Sequence, residues 1–253
     1  MRLANLAWPK VESYFKKSDT VLLAVGSIEC HGRHMPLGTD TFIPDRLLEL
    51  FEEKNKEMLI LPTLPYGSTD SLEPFPGTIS IGYDALYIVL RKIIDSIKSH
   101  GARKFIILNG HGGNTPVIER LGMELDKEGC LLAMLNWWQN VMDLDPSWSG
   151  GHGDGEETAA IMGVDPSLID KNEIDAEVVL KDLSPRLKAK GFNTVEFSGV
   201  KISIPRVSTK VMDNGWTGPL HPRTATVEWG DKMLKAMADF IVDFAAEFEK
   251  LKV

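Results

Sequence analysis

The chain has two cysteines in 253 residues, Cys30 and Cys130. That is too few for a disulfide framework and makes a reducing cytoplasm the default compartment. No apolar run approaches the ~18–20 residues that a membrane span needs. The opening residues Met1-Arg2-Leu3-Ala4-Asn5 lead to Trp8-Pro9 and charged residues, so no secretory signal is expected. Positive charge is also scarce. Lys and Arg number 28 against 36 Asp and Glu, for a net charge of -8, and no basic block occurs. This argues against nucleic acid or an anionic membrane as the main partner and leaves a small molecule. Linker-like, low-complexity and repeated segments are missing as well. What is present, 43% hydrophobic and 25% charged residues, suits an ordinary globular chain with a full core. One domain over 1–253 is the economical expectation.

Short apolar runs at 21–25, 58–61, 104–108 and 131–135 predict strands, and a further alternating segment lies near 199–204. Helical spacing of apolar residues marks 41–53, 84–99, 115–128 and 229–251. In the last of these, Met233, Met237, Phe240, Ile241 and Phe244 share one side, a stripe that belongs in a core. Strands separated by helices imply right-handed crossovers, hence a three-layer α/β/α sandwich around a mainly parallel sheet. Residues 170–215 are the least regular part, expected to pass over a site or to form an oligomer contact.

The first apolar run ends at Gly26, and Glu29, His31 and Asp40 follow within the stretch GSIECHGRHMPLGTD. Open α/β sheets place ligand sites in such loops, outside the carboxyl ends of the strands. Carboxylates and imidazoles together suit zinc, manganese or iron better than calcium or magnesium. The run at 104–108 leads into Asn109-Gly110-His111-Gly112-Gly113-Asn114, where glycines allow close backbone approach to a ligand. A third cluster, Gly150 to Thr158, contains His152, Asp154, Glu156 and Glu157. A solvated or capping role would not concentrate His31, His34, His111 and His152 in glycine-rich turns. Together these clusters indicate a metal-dependent site. In an extended segment the Cys30 side chain would point away from both Glu29 and His31, as a packed thiol.

These segments, in this order, resemble the signatures of the creatininase family, as do FPGTIS at 75–80, GPLHPRTATVEWG at 218–230 and Leu6-Ala7-Trp8-Pro9 near the start. The resemblance covers essentially all of the chain. It implies two divalent ions (zinc, manganese or iron) bridged by an aspartate that matches Asp40. Glu29 and His111 match ligands of one ion, and His31 matches a ligand of the other. Creatininase has a glutamate two residues after the histidine of NGH, where this chain has Gly113. Glu157 matches a family glutamate that would fill the gap, with Glu156 as the competing register. His152 matches a histidine lining the substrate and is the candidate for proton transfer. Trp138 and Trp148 match aromatics around the substrate. His34 and Asp45 are read as supporting or surface groups, and Asn109 and Asn114 as shaping the glycine loop.

Ser149 and Gly151 stand where creatininase carries acidic side chains, and the segment between Tyr66 and Phe75 is shorter than its counterpart. Creatinine itself is therefore not the expected substrate. The resemblance implies a dinuclear-metal hydrolase of a cyclic amide or related C–N bond. Alternatives within it are ring opening of a keto-inositol by C–C cleavage and formamide deformylation, and a metal-stabilised binding protein is the non-enzyme alternative. Family members are commonly hexamers, so a homo-oligomer is expected. Mild support comes from six Trp and ten Phe, with Trp216 and Trp229 outside the assigned site.

Overall fold

The predicted runs pair side by side. In a computed structural model of the chain, describing residues 1–174 and 177–253, β1 (Thr20–Val25), β2 (Leu59–Ile60), β3 (Lys104–Asn109) and β4 (Leu131–Asn136) form a parallel sheet of order β2-β1-β3-β4. Two residues of the irregular 170–215 stretch, 175 and 176, lie outside the described set. The helices are α1 (Trp8–Phe15), α2 (Thr39–Lys54), α3 (Gly82–Ser99), α4 (Thr115–Lys127), α5 (Trp137–Leu144), α6 (Gly155–Val164) and α7 (Val227–Phe248).

Strand residues alternate between two cores, as the pleat requires. Leu22 and Ala24 of β1, with Ile106 and Leu108 of β3, pack against Leu47 of α2, Ala160 and Ile161 of α6, and Met233, Met237 and Ile241 of α7. Val21, Leu23 and Val25, with Phe105 and Ile107, face Leu86 and Leu90 of α3 and Ile118 and Leu121 of α4. Both faces of the sheet are thus covered, giving the three layers expected. From β1 the chain goes outward to β2 through α2, then crosses over to β3 through α3. The strand order reverses between β1 and β3, and the crevice at their carboxyl ends is where such sheets bind ligands.

The alternating segment near 199–204 is a strand but not in this sheet. β7 (Val200–Ser203) pairs antiparallel with β6 (Thr194–Phe197), which pairs with β5 (Lys188–Ala189), in a separate three-stranded sheet. None of the described helices is long and apolar enough to cross a membrane.

α6 lies against α7 at Gly163 and Gly230. A Cβ on Gly230 would sit 1.8 Å from the carbonyl oxygen of Ala159, and one on Gly163 would sit 2.7 Å from the Gly230 carbonyl carbon. The backbones touch, so Gly230→Ala must push the helices apart. Overpacking of this kind costs about 3 kcal/mol, and chemical denaturation should show it as a lower midpoint at unchanged slope. A midpoint equal to wild type would mean that this helix contact yields freely. The contact matters for the site because α6 delivers Glu157.

Candidate metal centre

The loop after β1 carries Glu29 and His31, the first turn of α2 carries Asp40, the loop after β3 carries His111, and the first turn of α6 carries Glu157. All five converge. His111 Nδ1 lies 3.1 Å from Glu29 Oε1 and 3.0 Å from Asp40 Oδ2. His31 Nε2 lies 2.9 Å from Asp40 Oδ1 and 3.5 Å from Glu157 Oε2. Two donor sets result, Glu29–Asp40–His111 and His31–Asp40–Glu157, with Asp40 in both through its two oxygens. A third set, Glu29–His31–His152, overlaps them. Glu156 belongs to none of these sets.

Hydrogen bonding between the groups does not account for this proximity. Glu29 Oε1 and His31 Nε2 are fully buried and make no aligned hydrogen bond despite their close neighbours. Each belongs to one of the two donor sets, and a buried donor atom left without a hydrogen bond suits a metal ligand. Mixed carboxylate and imidazole donors fit zinc, manganese or iron.

Surrounding groups hold each donor in place, as metal sites require. Glu29 Oε2 accepts from Thr69 Oγ1, and Asp40 Oδ2 accepts from Ser27 Oγ at 2.8 Å. The Ser68 carbonyl is 2.9 Å from His111 Nε2, and the Glu29 carbonyl is 3.1 Å from His31 Nδ1. A carbonyl only accepts, so the outer nitrogen of each ring carries the hydrogen and the inner one is free for a metal. Glu157 Oε2 accepts from the Gly153 amide at 2.6 Å, and Asp154 caps α6 by accepting from Glu156 N at 3.0 Å. The dipole of α6 favours carboxylates at this end.

The electrostatics show a cluster that awaits positive charge. Burial disfavours a charged His31, but Asp40 and Glu157 outweigh it and hold the pKa up at about 10. Burial likewise acts against a charged His111, and Glu29 and Asp40 raise it well above the ordinary value. Burial pushes the Glu157 carboxyl up to about 8 against the pull of His31. In His152, burial and the nearby His31 push the pKa down to about 4. Cations in the centre would offset the charge of these crowded carboxylates and leave the inner imidazole nitrogens unprotonated.

Other expected residues take definite places. His34 is buried, with Nε2 2.8 Å from Thr158 Oγ1, and so ties the first loop to α6. Asp45 accepts from Thr63 Oγ1, outside the centre. Asn114 donates to the Gly26 carbonyl at 3.0 Å and accepts from Ser68 N at 3.1 Å, linking three loops. Asn109 donates to Asn136 Oδ1 at 2.9 Å and accepts from the His111 amide. Gly113 is sterically obligatory: a Cβ there would lie 2.1 Å from the Ser68 oxygen and 2.4 Å from His111 Nε2. This loop has no room for a glutamate at that position.

The centre opens into a cavity of about 780 Å³. Trp138 lines it beside His111 and His152, together with Phe192 and Arg206 from the irregular stretch. That stretch therefore does pass over the site. Phe192 meets His152 edge-on at 4.8 Å. Trp148 requires a correction: it does not line this cavity. Its short turn is capped by Asp145, and its ring packs in the core under Lys232 of α7, lining a separate space of about 390 Å³ with Trp229. Sequence reasoning also missed Thr69, Ser68, Phe192 and Arg206. The polar run Gly67-Ser68-Thr69-Asp70 was a signal for the first two, and nothing marked the others.

Comparison with known proteins decides the family. The creatininase family model, described as creatinine amidohydrolase, matches residues 4–245. The chain belongs to the creatininase family. It is 28% identical over 195 residues to a creatinine amidohydrolase of Pseudomonas putida, covering 68% of this chain and 75% of that one. It is 31% identical over 187 residues to a mycofactocin precursor peptide peptidase of Mycolicibacterium smegmatis, covering 71% and 72%. A manganese form of creatininase superposes with a TM-score of 0.76 at 25% identity, over 99% of each chain. The chain is thus a metal-dependent hydrolase with the creatininase fold, and its donor clusters support divalent metal binding.

Proposed function

We propose that this protein is a dinuclear enzyme that hydrolyses the C–N bond of a small, flat amide. The observation that carries this reading is the pair of donor sets sharing Asp40 at the head of a cavity. Glu29, Asp40 and His111 would hold one ion, and His31, Asp40 and Glu157 the other. Two divalent ions there would lower the pKa of a water and polarise the substrate carbonyl. Three carboxylates come close to neutralising two such ions, which suits a site that must take up hydroxide.

Cleavage of the C–N bond leaves a nitrogen that needs a proton, and His152 is placed to supply it. Its Nε2 lies 2.8 Å from the Cys30 carbonyl oxygen, so that nitrogen bears the hydrogen. Its Nδ1 then presents the lone pair, 3.7 Å from Glu29 Oε1. Its lowered pKa leaves the ring neutral, able first to take a proton at Nδ1 and then to pass it on. Trp138 and Phe192 supply aromatic walls that suit a ring-shaped molecule.

Elemental analysis of the reconstituted protein should return two divalent ions per chain. Failure to bind zinc, manganese or iron would overturn the reading. A screen of cyclic amides and formamides then identifies the substrate class.

The chain is further proposed to act as one domain in the cytoplasm, consistent with two buried free thiols, and as a homo-oligomer. Trp216 no longer supports assembly, since it is buried within the chain. Support comes instead from Ile88 and Val89 of α3 and Met123 of α4, apolar residues left exposed on neighbouring helices. Light scattering at micromolar concentration should give a multiple of the 28.1 kDa chain, and a monomer would refute the assembly.

A further inference from the structure

Among the described residues lining the cavity, Arg206 is the only lysine or arginine. Its Nε and Nη2 are fully buried and have no hydrogen-bond partner. The described residues place no carboxylate within ion-pair distance of it. Asp70 lines the same cavity but accepts from Ser80 Oγ instead. Buried donors of a charged group are costly to leave unpaired, and native proteins seldom do so without a ligand in view. The segment is held rather than loose: Ser208, two residues on, donates from both its amide and its hydroxyl to the Ser71 carbonyl, each at 2.7 Å. Arg206 is thereby pinned to the loop carrying Ser68, which also lines the cavity and whose hydroxyl is buried without a partner.

The two unpaired nitrogens define the chemistry. Nε–H and one Nη2–H project side by side from one edge of the guanidinium plane, at the spacing of the two oxygens of a carboxylate. A neutral carbonyl would leave the buried guanidinium charge uncompensated, and a cationic ring would be repelled. Ser149 and Gly151 agree, since both lack the negative charge that a cationic substrate would need.

We propose that Arg206 receives a carboxylate of the substrate, so that the enzyme acts on small amido acids rather than on neutral or cationic amides. This rests on the hydrolase reading above and names the substrate class for it.

Matched pairs test the assignment on the metal-loaded enzyme: 5-oxoprolinate against 5-oxoprolinamide, and N-formylglycine against N-formylglycinamide. Calorimetry should show the carboxylate member of at least one pair binding about ten- to a hundredfold tighter than its amide. Arg206→Gln should erase that preference at unchanged metal content and melting temperature. Arg206→Lys should restore only part of it, because a lysine offers a point charge without the paired donors. Since metal ions attract carboxylates too, dependence on Arg206 is the criterion. No preference in either pair, or a preference that survives Arg206→Gln, overturns the proposal. Should the glutamine variant not fold, a preference fully retained by Arg206→Lys overturns it equally. Arg206-dependent binding with no turnover would sink the hydrolase reading and leave this assignment standing. Hydrolysis indifferent to Arg206 would do the reverse.

Discussion

Asp40→Ala should strip both halves of the centre of metal and abolish turnover, a larger effect than any other single ligand change. Asp40 is the one residue common to the Glu29–His111 and His31–Glu157 donor sets, and it reaches them with different oxygens. Its position is enforced from several sides. It sits in the first turn of α2, where the helix dipole favours a carboxylate, and Ser27 Oγ donates to it at 2.8 Å. His31 and His111 outweigh the burial of its carboxyl and hold its pKa well below the ordinary range. Residues that only orient metal ligands cost roughly 10- to 100-fold in affinity or activity when removed. Loss of a shared ligand should exceed that for each ion. Metal content, measured beside circular dichroism to confirm the fold, checks this. Retention of two ions and full activity by Asp40→Ala would show that the centre lies elsewhere. Asp40→Asn keeps the shape, loses the charge, and should fall between.

The legible parts of this fold are those with a strong period or a special backbone. β1 and β3 are uninterrupted apolar runs because helices cover both faces of the sheet. His31 and His111 stand out since glycine beside them admits close loop packing. The sequence gives no helical signal for α6, and the reason is physical. It is buried from Gly155 to Ile161 on all sides, carboxylates included, so it has no amphipathic stripe to betray it. The strand near 199–204 reads correctly as extended, but alternation says nothing about which sheet receives it. Trp148 illustrates a further limit: correspondence of position does not fix side-chain direction, and its ring follows the Asp145 cap and Lys232 into the core. Thr69 and Arg206 come from loops distant in sequence from the metal motifs. Only the folded chain brings Thr69 to Glu29 and Arg206 to the cavity.

Glu157→Gln and Glu156→Gln should part company, although the residues are neighbours on one turn of α6. The Glu157 carboxylate approaches His31 Nε2 to 3.5 Å, whereas Glu156 joins no donor set, and its Oε1 is buried without a partner. Glu157→Gln should therefore lower occupancy of one ion and cut turnover by roughly a hundredfold or more, since it removes a ligand rather than a ligand's support. Glu156→Gln should keep both ions and lose little activity. Its signature is in stability instead. Burial, then Glu157 and Asp154, push the Glu156 carboxyl up to about 10 from an ordinary 4.5. Raised in this way, the group contributes stability in full below the unfolded value, and that contribution is lost as pH climbs from about 4.5 toward 10. A glutamine cannot ionise and escapes the loss. Metal-free Glu156→Gln should thus match wild type near pH 4 and exceed it by pH 8 by on the order of 5 kcal/mol, since about 3.5 pH units above 4.5 count at about 1.4 kcal/mol each. Thermal unfolding of the metal-free proteins across that range, paired with metal titration, reads both effects. Loss of an ion in Glu156→Gln, with both retained in Glu157→Gln, would reverse the register of α6 against the centre.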